Sequence, residues 1–228
     1  MIFDILTICP QAVSPYFDEG IIKRAQKNKL IKINLHNIRD YAVDKHKTVD
    51  DSPYGGGPGM VLKIEPIWKC VKKIIGKNKN AKIVLLSPRG KVFNQKMAKK
   101  WSKLDRIILI SGRYEGIDER VADYIADEIV SIGDYILMGG ELAAMAIVET
   151  TARLISGVIG DETKWLQKKI AKTRKKEIKT RIMGFTEFPQ YTKPEIFKAG
   201  KKKKWVVPPV LLSGNHAKIE EWRNKKIM

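Results

Sequence analysis

Ile107-Ile108-Leu109-Ile110-Ser111-Gly112-Arg113-Tyr114-Glu115-Gly116 is the stretch from which the rest of this 228-residue chain can be read. A short, continuous apolar run that ends in a glycine turn has the form of a strand buried on both faces. The pattern recurs on either side. Ile83–Leu86 leads into Ser87-Pro88-Arg89-Gly90, and Glu128–Ile132 leads into Gly133-Asp134-Tyr135-Ile136-Leu137-Met138-Gly139-Gly140. Short buried strands, each followed by a turn and a helical segment, predict an α/β fold with a parallel sheet and helices on both faces.

The pattern extends towards the N-terminus. Ile2–Ile8 reads as a strand, and Phe17, Ile21, Ile22 and Ala25 recur at helical spacing. Ile31, Ile33 and Leu35 alternate with polar residues, as in a half-buried strand. A polar, glycine-rich stretch runs from Asn37 to Gly59. Ile64–Ile75 then carries Ile64, Ile67, Trp68, Val71, Ile74 and Ile75 on one helical face, which places Trp68 in the core by expectation. Glu141–Leu154 is a helix that closes the region.

Past Gly160 the composition changes. Between Lys164 and Arg181 nine basic residues face a single acid, Glu177, as in a linker or a mobile helix and not a core element. A small, helical C-terminal module follows, with the Lys201–Lys204 run and a helix over Asn215–Lys226. The expected organisation is a main domain over 1–160, a basic linker over 161–186 and a small domain over 187–228.

Lys and Arg number 44 against 25 Asp and Glu, a formal charge of +19. Such an excess attracts polyanions, nucleic acid first among them. A membrane is excluded as a span, because no stretch is long and apolar enough. Met1-Ile2-Phe3-Asp4 lacks the basic start of a secretory signal. Cys9 and Cys70 show no metal-ligand spacing and read as reduced thiols, so no metal site and a cytoplasmic location are expected.

In open parallel sheets, ligands sit at the carboxyl ends of strands. Three glycine turns there let main-chain groups approach a flat ligand such as adenine. Neither G-x-G-x-x-G nor G-x-x-x-x-G-K-[ST] occurs, which argues against a nicotinamide dehydrogenase and a P-loop. Gly55-Gly56-Gly57-Pro58-Gly59 suits a substrate-closing loop better.

Several motifs, in order along nearly the whole chain, resemble the bacterial TrmD family of tRNA (guanine-N1)-methyltransferases. They are Asp44-Lys45-His46-Lys47-Thr48-Val49-Asp50-Asp51 with Pro53–Met60, Gly112–Arg120, Ser131–Tyr135, Gly139-Gly140-Glu141-Leu142, Tyr191-Thr192-Lys193-Pro194 and Val207–Leu211. The resemblance implies a SPOUT-type fold with a deep trefoil knot, against the general rarity of knots. It implies methyl transfer from S-adenosyl-L-methionine to N1 of guanine 37 of tRNA, with Mg2+ as an optional further cofactor. It also implies a homodimer with active sites shared between subunits.

Carried over residue by residue, the resemblance assigns the cofactor pocket to Leu86, Gly112, Tyr114, Glu115, Ile132, Gly133, Asp134, Tyr135, Ile136, Leu137, Gly139 and Gly140. Glu115 and its neighbour Arg113 either meet the cofactor ribose, methionine end or a metal, or pair with each other. Substrate binding falls to His46, Asp50, Tyr54, Gly57 and Gly59. Removing the N1 proton builds charge on guanine O6, which a guanidinium stabilises. Arg153 matches the family's arginine for that task. The family's carboxylate base would lie eight residues before Glu187, at Lys179. Glu177 is the nearest substitute, either as base or as a solvated helix charge, with Asp161 and Glu162 further off. Lys179 also motivates the alternative of a catalytically silent tRNA-binding relative that keeps the cofactor pocket. Relative to the family the chain ends soon after Trp222-Arg223, and its surplus lysines are expected to compensate in gripping tRNA.

Overall fold

The computed structural model describes residues 1–76, 80–159, 188–199 and 203–226. The linker from 161 to 186, with Asp161, Glu162, Glu177 and Lys179, lies outside the described residues, as do Glu187, Lys201 and Lys202. The chain divides into two compact units, Met1–Glu162 and Thr163–Met228.

In the first unit the elements run β1 (Ile2–Thr7), α1 (Ser14–Phe17), α2 (Gly20–Lys27), β2 (Lys32–Asn37), β3 (Asp50–Asp51), β4 (Val61–Leu62), α3 (Ile64–Ile75), β5 (Ala81–Val92), α4 (Gln95–Trp101), β6 (Arg106–Ser111), α5 (Arg120–Tyr124), β7 (Glu128–Ser131) and α6 (Glu141–Ala152). The fold is α/β, as the sequence predicts. Five strands form one sheet in the order β2-β1-β6-β5-β7, and every pair is parallel. The short strands β3 and β4 pair antiparallel beside it.

Alternation along the strands divides the core in two. Phe3, Ile5, Val84, Ile107 and Leu109 face Phe17, Ile22, Trp101, Ile147 and Val148 from α1, α2, α4 and α6. Leu6, Ile83, Leu85, Ile108 and Ile110 face Ile67, Cys70, Val71 and Val121 from α3 and α5. Neighbouring side chains on one strand point to opposite faces, so the unbroken apolar runs supply both layers. Asp4 is one of the charged groups buried beside them. The Asp4 carboxylate accepts from Asn34 Nδ2 at 2.8 Å, is bound by His36 Nε2 at 2.7 Å, and has Arg106 Nε 3.3 Å away as its ion-pair partner.

Three local expectations change. The single helix expected over Phe17–Ala25 is two helices, because the backbone leaves the helical conformation at Glu19, which is extended, before α2 starts at Gly20 with φ 61°. Trp68 is 46% exposed, with Lys72 Nζ 4.7 Å from its ring centroid, so its hydrophobicity did not place it in the core. The helix buries Ile67, Cys70 and Val71 instead, and a stripe of that width leaves Trp68 at its edge. Third, Ser87–Gly90 does not end its strand: Leu86 and Lys91 both pair with Val130, so β5 resumes on the same neighbour after the excursion. A Cβ on Gly90 would lie 2.6 Å from the Ile129 carbonyl carbon, which explains the glycine at this return.

The second unit contains a hairpin of β8 (Ile196–Lys198) and β9 (Lys204–Val206), then α7 (Pro209–Leu212) and α8 (His216–Lys225). The hairpin adds to the helical content expected of this module. None of its described residues is buried.

Candidate active site

The carboxyl ends of β6 and β7, with the Ser87–Gly90 excursion in β5, open into a cleft of about 560 Å3. That volume lies within the range of small-molecule sites. The three glycine turns quoted at the outset form its rim. Of the residues expected to hold a cofactor, Leu86, Gly112, Tyr114, Glu115, Ile132, Tyr135, Ile136, Leu137, Gly139 and Gly140 line the cleft. Gly133 and Asp134 belong to the same turn but are not among the residues that line the cleft.

Backbone stitching holds the turns together. The Gly140 N–H donates to the Gly112 carbonyl at 2.9 Å, tying the start of α6 to the end of β6. A Cβ at Gly140 would lie 2.8 Å from Ser111 Cα. Since Gly140 has an ordinary φ of −80°, room rather than backbone angle requires glycine there. Tyr114 takes the left-handed conformation at φ 58°, which turns the chain sharply after Arg113.

Glu141 is the buried charge of the site, 4% exposed. Its carboxylate accepts from Thr7 Oγ1 at 2.6 Å and from Arg113 Nε at 3.0 and 3.1 Å. Thr7 Oγ1 in turn accepts from the Cys9 N–H at 2.9 Å. Arg113 therefore pairs with Glu141, not with Glu115. This pairing raises the Arg113 pKa above its ordinary value, the hydrogen bond to Glu141 being the main cause. Thr7 and Glu141 were missed as site residues because they lie 134 positions apart. The strand-end rule was the available signal, since Thr7 closes β1 as Ser111 closes β6. Arg89 and Glu119, another ion pair, also line the cleft.

The glycine-rich loop returns to this rim. Glu115 N–H donates to Met60 O at 3.0 Å, Leu62 N–H to Gly116 O at 3.0 Å, and Asp118 N–H to Leu62 O at 3.0 Å. A Cβ on Gly59 would run into the Glu115 side chain, which would have to move, and Gly59 has φ 80°. The structure thus joins Gly59 to the cleft. Asp50, on β3, pairs with Leu62 across the same small sheet. Tyr54 and Gly57 stand outward in the loop: Tyr54 is fully exposed, and Gly57 has φ 124°. His46 is exposed as well, its N–H donating to Asp44 Oδ2 at 3.1 Å. Bonds from Thr48, chiefly its hydroxyl, hold the Asp44 carboxyl below its ordinary range.

Arg153 is not at the cleft of its own chain. It caps the far end of α6, ten residues beyond Ala143 in the lining, roughly 15 Å along the helix axis at the usual rise. Glu177 lies outside the described residues. Of the cleft lining Tyr135, Ile136 and Met138 are 54, 86 and 93% exposed, and Leu142, in the first turn of α6, is 58% exposed, an apolar collar. Among the described residues no helix is long and apolar enough to cross a membrane.

A family model described as tRNA (Guanine-1)-methyltransferase TrmD matches residues 1–228. Proteins named tRNA (guanine-N(1)-)-methyltransferase are similar to the chain throughout. That of Citrifermentans bemidjiense is 45% identical over 228 residues, covering 100% of this chain and 85% of the relative. That of Dictyoglomus turgidum is 47% identical over 225 residues, covering 99% and 84%. A third, from Dehalococcoides mccartyi, is 43% identical over 227 residues, covering 99% and 85%. With the match spanning every element described above, this chain belongs to the tRNA (guanine-1)-methyltransferase TrmD family.

Proposed function

We propose that the protein transfers a methyl group from S-adenosyl-L-methionine to N1 of the guanine at tRNA position 37, beside the anticodon, in the cytoplasm. The observation that carries this reading is one cleft on which the three glycine turns and the returning Gly59–Leu62 segment converge. A knotted 1–160 domain binding the cofactor, a 161–186 linker and a 187–228 domain gripping tRNA complete the proposed division of labour.

The cleft's residues suit the cofactor. Leu86, Ile132, Leu137 and Ala143 offer apolar surface to a purine, and the main chain of the Leu137–Gly140 turn offers it donors and acceptors. Arg113, held by Glu141, and the Glu115 carboxylate supply opposite charges for an amino-acid tail. When bound, the cofactor supplies an activated sulfonium methyl group. The protein then has two tasks: to align guanine N1 in line with that methyl and to manage one proton. The loop carrying Tyr54, Gly57 and Gly59, with His46 and Asp50, is assigned to holding the guanine. Arg153 is assigned to the charge that grows on O6 as N1 loses its proton, and Glu177 to accepting that proton.

The position of Arg153, far along α6 from its own cleft, supports a homodimer in which each site takes this arginine from the partner. The apolar collar supports it as well, since exposed patches of that kind mark interfaces.

Methyl transfer from labelled cofactor to two tRNA transcripts tests the reading. One carries guanine at positions 36 and 37, the other adenine at 37. Transfer is expected to the first alone, and to be lost with Glu177→Ala. Transfer that survives the substitution moves the base to Asp161 or Glu162. Cofactor binding without transfer to either transcript would sink the enzymatic reading and leave a silent tRNA binder.

A further inference from the structure

The second unit has a feature for which methyl transfer itself has no use. β8 and β9 pair Ile196 with Val206, Phe197 with Trp205 and Lys198 with Lys204. Cross-strand partners project to the same side, so Phe197 and Trp205 share one face. Their ring centroids are 5.6 Å apart, with the planes inclined by 32°. Lys203 Nζ lies 5.7 Å from the Trp205 ring centroid. Neither ring is covered: Phe197 is 50% and Trp205 56% exposed. A lone two-stranded hairpin is marginal in water, and nothing described in this unit is buried against it.

We infer that the Phe197–Trp205 face is a stacking platform for an unpaired nucleotide of the tRNA, with Lys203, which shares that face, meeting an adjoining phosphate. The inference rests on the tRNA reading above and adds to it a base-binding subsite. Charge selects the occupant. From Phe188 to Met228 the sequence holds ten lysines and arginines against Glu195, Glu220 and Glu221, within a chain of net +19. A second copy of so basic a surface would be repelled, whereas a polyanion is drawn in. Every base has a π face, so stacking on exposed rings beside cations binds single strands without reading sequence. A duplex keeps those faces stacked inside, which limits the partner to a loop or an end.

The test compares an anticodon stem-loop RNA with a plain RNA duplex of equal length, by fluorescence anisotropy over a range of salt. Phe197→Ala and Trp205→Ala should each weaken stem-loop binding about tenfold. Duplex binding and the salt slope should stay put, because no phosphate contact is lost. Trp205→Tyr, which can still stack, should bind nearly as the wild type does. Trp205→Leu keeps apolar bulk without a ring and should weaken binding like alanine, so the outcome holds even if an alanine variant loses the hairpin. Unchanged stem-loop affinity in the leucine variant overturns the platform, and so does an equal loss on both RNAs. A fall in molecular mass by light scattering with RNA affinity intact would overturn it too, by making the face a contact between copies. These results are separable from failure of the parent reading, in which the wild-type protein itself would neither bind nor methylate tRNA.

Discussion

The two compact units are built by different means. The first seals a five-stranded sheet between two apolar layers, with Phe3, Ile5, Leu6, Ile108 and Ile147 fully buried. The second has no buried residue among those described, and its half-exposed contacts include ring with ring, Tyr191 with Trp222 at 6.2 Å between centroids, and cation with ring, Arg223 over Phe188 at 4.8 Å. Burial of apolar surface is what makes a unit stable by itself. Ring-and-cation contacts at a surface are worth far less, and they remain available to a partner. The difference is between a unit whose sealed core shapes a cleft and one whose described side chains all stay at least partly exposed.

That contrast can be attacked at its strongest point first. Gly140→Val pushes a side chain onto the Ser111 backbone at the cleft rim, where a Cβ alone would be 2.8 Å from Cα. Cofactor binding by calorimetry is expected to vanish while circular dichroism keeps the α/β spectrum, at a stability cost of about 1–3 kcal/mol. Retained binding would show that the turns give way easily and that the sealed core does not fix the cleft.

Core truncations then measure the contrast directly. Ile147→Ala empties a fully buried position and should cost about 2–5 kcal/mol in urea unfolding. Leu211→Ala, at a half-buried position of the second unit, should cost no more than about 1 kcal/mol. Equal losses would mean that the second unit has a closed core after all.

The smallest effect is set by pH. Burial raises the Cys70 thiol from 9.0 to about 12, and Tyr41, again chiefly by burial, rises from 10.0 to about 12. Each group's folded pKa lies above its unfolded one, and the neutral form is the one the fold prefers. Between pH about 9 and about 12 the unfolded chain therefore holds fewer protons, so stability falls as pH rises. At pH about 10, one unit into that window, Cys70→Ala should reduce the alkaline loss in the first unit by something on the order of 1 kcal/mol. An identical pH profile in the variant would place the thiol's ionisation outside the folding equilibrium.

Much of this molecule was legible before any coordinates. Apolar runs of the right length marked β1, β6 and β7 to within a residue or two, and helical spacing marked α3 at both ends. These signals are local, because strand and helix periods are written in consecutive residues. The three glycine turns were legible for the same reason, and they led to most of the cleft lining. Trp68 was misread because a helix stripe has edges, and only the neighbouring sheet decides which side of the edge is covered. The β8–β9 hairpin went unseen because its strands are three residues each, too short for a periodic signal.

The sequence by itself determined the α/β class, the strand-end location of the site and the family, through local periodicity and motifs kept in order. Tertiary structure alone decided the partnerships: Arg113 with Glu141 rather than with Glu115, Glu141 with Thr7, Asp4 with His36, and Gly59 against Glu115. The contacts of Thr7 and Asp4 depend on the strand order β2-β1-β6-β5-β7, which sets β2 beside β1 and brings the end of β1 beside the end of β6 across about a hundred residues of chain. No local pattern encodes that adjacency, because it results from burying both faces of one sheet at once.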